Sequence, residues 1–468
     1  MTLRLHNTMT KNLEDFIPRD TKKVTLFVCG PTVYDLSHLG HAKTYVQMDV
    51  LARVIKQNDY ELFYVQNITD IDDKIIVRSA EKNIDWQELR TNFQEEYLKD
   101  MASLNNTSVT EYARATDYID DIISQVTRLM DSGHAYTIEN DGIYFEISTF
   151  PSYGKLSGRS EIKKDDAQTR IDESENKRGW NDFCLWKFSK IHEPVWNAPF
   201  GKGRPGWHIE DTAISEHFFG PQYDVHGGAV DLIFPHHEAE ITQMESISEK
   251  VPMVKYWVHT GFLTIDSEKM AKSTGNFYTI REVIEKGYDP LSIRLFMLQS
   301  HYRSAINFSF DNLNSAVNRL NNWHSIAALR HQTHDTLRDD DSKSTGESAL
   351  SLNATAQALL EALNDDINTP VALTIIDEAF SRLLNARLSD IHHHALVQLL
   401  DTIDGSLGLD LIGSTPDVTD DIKRLILERQ QARDNQDWGK SDIIRDSLLK
   451  EGIAVRDTPH GSIWEYCS

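Results

Sequence analysis

The stretch TLFVCGPTVYDLSHLGHAKTYVQMDVLARVIKQ, from Thr25 to Gln57, decides the fold. Its first six residues, Thr25 to Gly30, have the β-branched and apolar content of a strand, PTVYDLS has turn chemistry, and from His41 to Gln57 apolar residues recur at helical spacing. ELFYVQNI, from Glu61 to Ile68, reads as the next strand. Strand, crossover helix and strand in this order predict a parallel α/β sheet, whose ligands gather at the carboxyl ends of the strands. Cys29 and the residues just after it stand at such an end.

Outward from this unit, residues 120–225 are a mixed insertion rich in turns and charges, and VPMVKYWVHTGFLTID brings strand content back, so the α/β fold is split into two halves, 1–119 and 226–308. From Ser309 the pattern changes to long helical periods, as in DNLNSAVNRLNNWHSIAAL and ATAQALLEALN, which predict a helical bundle over 309–410. RHQTHDTLRDDDSKSTGES reads as a polar loop and IGSTPDVTDD as a linker. A small α+β module, 411–468, follows, with ERQQARDNQDWGKSDIIRDSLLKEG helical and IAVRDTPHGSIW a hairpin.

Composition narrows the class. The chain has 468 residues, 40% of them hydrophobic, enough for several cores. Its 48 basic and 72 acidic residues give a net charge of −24, which argues against a sequence-blind polyanion binder but leaves room for a local basic path. No signal peptide and no apolar run long enough to span a membrane are visible, so the cytosol is the expected address. Three scattered cysteines, Cys29, Cys184 and Cys467, read as reduced thiols or ligands rather than a disulfide framework.

Two motifs carry phosphate chemistry. HLGH (His38, Leu39, Gly40, His41) falls at the start of the crossover helix, where free backbone N–H groups favour a phosphate, Gly40 permits close approach of a base or ribose, and two imidazoles can donate to a transferring phosphoryl group. Alone, it is equally the capped start of an ordinary helix. KMAKS places Lys269 and Lys272 three apart, next to Ser273, on a loop after a strand, where they can close over a triphosphate. Between the two motifs, FPHHEAEI puts Pro235 at a first helical position and His236 and Glu240 on one helical face, as a pair of metal ligands or as a solvated first turn.

HLGH followed by KMAKS across a split α/β fold resembles the class I aminoacyl-tRNA synthetases. FVCGPTVYDLSHLGHAKTY, NITDIDDKII, YGKLSGR, RPGWHIE, DVHGGAVDLIFPHHEAEI, KMAKSTGNF, NDDINTP and the C-terminal QARDNQDWGKSDIIRDSLLKEGIAVRDTPHGSIW narrow the resemblance to cysteinyl-tRNA synthetases over essentially the whole chain. It implies a Rossmann-type catalytic domain in two halves, an inserted connective domain, a helical bundle and an anticodon-binding module. The implied reaction joins L-cysteine to tRNA(Cys) through cysteinyl adenylate, with ATP and Mg2+ entering as substrate and a monomer expected. The resemblance assigns phosphate roles to His38, Gly40, His41, Lys269, Lys272 and Ser273. Trp207 and His208 match its amino-acid pocket, with Thr69 and Asp70 weaker candidates. Arg433, Trp438, Asp442, Arg445 and Asp457 fit its anticodon-reading pattern, in which aromatics and arginines stack on unpaired bases and carboxylates accept from base amino groups.

The departure from the pattern is at the metal. The resemblance implies a zinc ion on Cys29, a second cysteine, His236 and Glu240, but the second position, in GWHIEDTAI, is Asp211. Exchange of thiolate for carboxylate keeps the ligand charge and replaces a soft donor by a harder one, at about 2.0–2.2 Å instead of 2.3 Å from zinc. Asp211 as ligand, Cys184 as its substitute and loss of the metal all remain open at this point. Two other readings accompany the resemblance: a cysteine-activating ligase with a non-tRNA acceptor, disfavoured by the C-terminal module, and a silent RNA-binding paralogue, disfavoured by both phosphate motifs.

Overall fold

The computed structural model describes residues 2–159, 174, 176–269, 276–340 and 342–467, at Lys269 in the backbone only. The chain divides into two compact units, one of Thr2–Glu285 with Tyr302–Ile306, the other of Lys286–His301 with Asn307–Ser468.

In the first unit, β1 (Arg4–Asn7) and β2 (Asn12–Asp15) form a short antiparallel pair. β3 (Lys23–Val28), α1 (Leu39–Gln57) and β4 (Glu61–Ile68) then make the strand–helix–strand unit that the opening stretch predicts. After α2 (Asp73–Lys82) and α3 (Trp86–Ser103) comes β5 (Glu111–Arg114). α4 (Ile119–Asp131) leads into an antiparallel sheet of β6 (Ala135–Ile138), β7 (Gly142–Phe145), β8 (Phe183–Phe188) and β9 (Gly203–Pro205). The chain returns through α5 (Ile209–Phe219) to β10 (Tyr223–Ala229), and α6 (Glu238–Ser248) carries it to β11 (Val254–Thr260). β12 (Leu263–Ile265), β13 (Glu268–Lys269) and α7 (Ile280–Glu285) complete the unit.

The parallel sheet has the order β11-β10-β3-β4-β5. Because helices cover both faces of such a sheet, its central strand is apolar on both sides, and Leu26, Phe27 and Val28 of β3 are all fully buried. The order reverses at β3, whose chain neighbour β4 lies on one side while β10 lies on the other. That reversal opens a crevice at the carboxyl ends of β3 and β10, the place where α/β sheets bind ligands. Gly30 stands at its edge: a Cβ there would come within 1.6 Å of the Asn67 carbonyl oxygen, so no side chain fits.

The second unit is helical: α8 (Pro290–Leu298), α9 (Phe310–Ala327), α10 (Lys343–Asn364), α11 (Thr369–Leu384), α12 (His393–Leu407), α13 (Asp420–Asp434) and α14 (Trp438–Lys450), with a terminal hairpin of Ile453–Thr458 and Gly461–Tyr466. In α11 the buried residues Ala372, Leu373, Ile376, Ala379, Phe380 and Leu383 trace one helical stripe. Two details differ from the sequence reading. The polar segment expected as a loop is helical from Lys343, anchored by Thr345, whose buried hydroxyl bonds the Asp340 carboxylate and carbonyl. The single helical segment expected after Glu428 is two helices, broken at Gln436, which takes φ 60° between them. Among the described residues no helix is long and apolar enough to cross a membrane.

Candidate active site and metal centre

Four elements bring the metal candidates together. Cys29 follows β3 directly, Asp211 sits in the first turn of α5, and Glu240 in the first turn of α6. His236 lies just ahead of α6, which is assigned from Glu238, so Pro235 stands in a wide turn rather than at the first position of that helix. Backbone torsions after Phe234 are nevertheless helical, and His236 Nε2 reaches Glu240 Oε1 at 3.2 Å, the contact that a spacing of four predicts. His236 Nε2 is 2.9 Å from Asp211 Oδ2, and Cys29 Sγ is 3.8 Å from Glu240 Oε1. All four groups are buried, each with a ligand atom within 4.8 Å of the others. Cys184 is not among them; it packs with Tyr136, Ile138 and Tyr144 as a small apolar side chain.

The electrostatics of this cluster call for a cation. Burial first, then the Glu240 and Asp211 carboxylates, push the Cys29 thiol well above its usual value. Burial first, then Asp211, does the same to Glu240. Glu240 Oε2 is buried with no hydrogen-bond partner. One sulfur, one imidazole and two carboxylates, buried and with ligand atoms within 4.8 Å of one another, are a donor set that fits a zinc-class divalent ion, whose charge would offset the three anions.

Second-layer groups, several of them beyond the sequence reading, orient these ligands. Asn67 donates from Nδ2 to Asp211 Oδ1 and accepts at Oδ1 from the Gly30 N–H at 2.6 Å, fixing both the aspartate and the loop after Cys29. His226 and His237 each bring Nε2 to 3.2 Å from Cys29 Sγ. Burial holds both imidazoles well below their usual values, so they are neutral. Gly228 makes room for His237, since a Cβ there would meet its Cε1 at 2.9 Å. The DVHGG and PHHE blocks held these histidines in plain view, but nothing local distinguishes a histidine that faces the cluster from one that packs a core.

The expected pocket residues take different places. The Trp207 ring stacks on His236, with centroids 4.3 Å apart. His208 is buried behind His236, Nδ1 to Nδ1 at 2.8 Å, and so orients that ligand. Thr69 is buried at the end of β4, 3.4 Å from Asn67 Nδ2. Asp70 bonds Arg90 and Thr116 and serves as a structural tie.

At the start of α1, His38 is the N-cap: its Nδ1 accepts from the Gly40 and His41 N–H groups at 3.0 and 3.4 Å, while His41 Nδ1 accepts from the His38 N–H at 3.3 Å. The Leu39 N–H is bonded to the Tyr278 carbonyl. This corrects the expectation that open backbone N–H groups receive phosphate here, because side chains and a neighbouring segment already occupy them. With Nδ1 accepting in both stacked rings, the proton of each neutral imidazole sits on Nε2, and donation falls to the side chains. Burial, His38 and Lys74 keep His41 well below its usual value. Lys272 and Ser273 lie outside the described residues, as does the Lys269 side chain. The chain that follows them is held at HLGH: besides the Leu39 contact, Ile280 N–H donates to the Ser37 carbonyl and the Phe277 ring stands edge-on to His38. The segment from Phe277 to Ile280, which follows KMAKS in the chain, therefore packs against HLGH.

In the C-terminal module, Arg433 lies over Trp438 and pairs with Asp457 at 3.0 Å. Asp457 is also held by Arg429, a buried residue the sequence reading passed over, which bonds Ser462 as well. Asp442 and Arg445 form a loose exposed pair at 3.8 Å, and Trp438 is 56% exposed, an open aromatic face.

Comparison with known proteins gives the family and the fold. Residues 15–318 match the family described as tRNA synthetases class I (C) catalytic domain, and residues 415–464 the family described as cysteinyl-tRNA ligase anticodon binding domain. The cysteine–tRNA ligase of Trichlorobacter lovleyi is 42% identical over 99% of this chain and 100% of its own length, that of Thermoplasma acidophilum likewise 42% over 99% and 100%, and the chloroplastic/mitochondrial one of Arabidopsis thaliana 39% over 99% and 86%. Among solved structures, the fold is shared with a Mycobacterium tuberculosis methionyl-tRNA synthetase in complex with methionyl-adenylate, at 15% identity and TM-score 0.58 over 84% of this chain and 91% of that one. It is shared too with an Agrobacterium radiobacter LeuRS in a ternary complex, at 10% identity and TM-score 0.61 over 86% of each.

Proposed function

The chain belongs to the class I cysteinyl-tRNA ligase family, and from that membership we propose the residue roles by which it works. The reaction is the ATP-dependent ligation of L-cysteine to tRNA(Cys) through cysteinyl adenylate. In its first step the cysteine carboxylate attacks the α-phosphorus of ATP, forming one O–P bond and breaking the bond to pyrophosphate. In the second, a hydroxyl of the terminal adenosine of tRNA takes the acyl group and AMP leaves.

His38 and His41 donate from Nε2 to the phosphoryl oxygens on which charge develops, a role supported by the capping bonds that commit both Nδ1 atoms to acceptance. Gly40 leaves space beside them. Lys269, Lys272 and Ser273 close on the triphosphate, which brings Mg2+ with it, and the lysines neutralise the departing pyrophosphate. Trp207 and Thr69 line the cysteine pocket, with His208 fixing His236 from behind. Cys29, Asp211, His236 and Glu240 would hold zinc, a borderline-soft Lewis acid that prefers the substrate's sulfur to the oxygen of serine. Arg433, Trp438, Asp442, Arg445 and Asp457 read the anticodon. The five segments 1–119, 120–225, 226–308, 309–410 and 411–468, a monomeric state and a cytosolic location complete the proposal.

The observation that carries the metal reading is the convergence of the four buried ligand atoms at the carboxyl end of β3. Zinc analysis together with cysteine-dependent ATP–pyrophosphate exchange tests the reading. Lys272→Ala should lower exchange at least tenfold, about 1.4 kcal/mol of lost charge stabilisation, with the circular dichroism unchanged. Unchanged exchange would remove Lys272 from the phosphate site.

A further inference from the structure

Cys29 and Glu240 belong to two donor sets at once. Beside Asp211 and His236, the buried imidazoles of His226, on β10, and His237 complete a second group, in which Cys29, His226, His237 and Glu240 again offer ligand atoms all within 4.8 Å of one another. Around a tetrahedral ion with bonds of about 2.0–2.3 Å, neighbouring ligand atoms stand roughly 3.3–3.6 Å apart. The second set comes within a few tenths of an ångström of this: both imidazole Nε2 atoms lie 3.2 Å from Cys29 Sγ, and His237 Nε2 lies 3.9 Å from Glu240 Oε1. Both imidazoles are oriented from behind, as metal ligands are, His226 by the Tyr223 hydroxyl at 2.6 Å and His237 by His259 at 2.8 Å, which is itself bonded to Thr8. Glu240 stands between the two sets, Oε1 at 3.2 Å from His236 Nε2 and Oε2, which makes no hydrogen bond, at 3.6 Å from His226 Nδ1.

We propose that this centre has two alternative cradles for a single zinc-class ion, sharing Cys29 and Glu240, and that His226 and His237 take the ion over when position 211 supplies no charged ligand. This rests on the metal reading above. Charge ranks the cradles. Asp211 sets a third anion against a divalent ion in buried surroundings, where Coulomb attraction is strongest, so the ion sits with Asp211 and His236 in the native chain. Without that charge, two neutral imidazoles, a better match than oxygen for a borderline-soft ion, complete four-coordination. A reserve of ligands thus stands beside the position where a carboxylate replaces the family's second thiolate.

The test uses the full chain carrying Asp211→Ala and, as the near-isosteric change that keeps the local packing, Asp211→Asn. Zinc is counted after purification, and the cobalt-substituted proteins are examined by visible absorption and X-ray absorption. The native chain should hold about one equivalent, with one sulfur and one imidazole. Both variants should keep about one equivalent and the sulfur-to-cobalt band while showing two imidazoles, and adding His226→Ala and His237→Ala to Asp211→Asn should empty the site. Empty single variants, or an ion still bound through one imidazole, would overturn the redundancy while leaving the metal reading intact. A native chain that takes up no zinc on reconstitution would overturn the metal reading itself.

Discussion

At position 211 the sequence places an oxygen where the family pattern expects sulfur, and the structure puts that oxygen 2.9 Å from His236 Nε2, inside the buried cluster of candidate ligands. Asp211→Cys should therefore retain zinc longer under chelator challenge than the native chain, because thiolate suits the ion better, and should activate cysteine at least as well. Faster zinc loss than native would show that the cradle has been reshaped around the shorter carboxylate. A second residue with a measurable consequence is Lys43, buried in α1 one turn past His38, where burial lowers its amine to about 8. Since the folded value lies below the unfolded one, the unfolded chain binds the extra proton between about pH 8 and 10.5, so stability rises with pH across that window. Lys43→Met should stabilise the chain at pH 7 by on the order of 2 kcal/mol, and its advantage should shrink as denaturation is repeated up to pH 10. An advantage independent of pH would trace to packing rather than to the buried charge.

At the scale of the element, α1 joins two roles in one residue. His38 caps the helix through Nδ1 and, in the proposed mechanism, donates to phosphate through Nε2. Asparagine can cap but cannot reach as an imidazole does. His38→Ala should lose about 1 kcal/mol of stability as an uncapped helix does, and His38→Asn only a few tenths, while both lower pyrophosphate exchange at least about tenfold. If the asparagine variant kept full exchange, the histidine would be a cap and nothing more. The sequence reading found this helix and its first histidine, yet expected open N–H groups at its start. Which atoms satisfy the first turn depends on side-chain rotamers and on Tyr278, brought in from far along the chain, and no local pattern encodes either.

At the scale of the whole molecule, the phosphate motifs and the metal cluster lie in the first unit and the anticodon candidates in the second. A chain ending after residue 415 should keep most of its cysteine-dependent exchange and lose most tRNA charging, measured side by side; equal charging would refute the anticodon role. The cut also uncovers part of the second unit's own core, where Trp464 packs with Ala328 and bonds Gln332, so a lower melting temperature should accompany it. The sequence by itself determined the parallel α/β unit, the bundle and the terminal hairpin, because apolar periodicity and turn chemistry are local. It determined the family as well, since short blocks of fixed residues recur along the whole chain. Only the tertiary structure decided which donors face Cys29. His226 and His237 reach it from β10 and the turn before α6, and Asp211 from α5, held in turn by Asn67 of β4; that convergence is set by the reversal of strand order at β3, a property of how the sheet assembles rather than of any stretch of sequence.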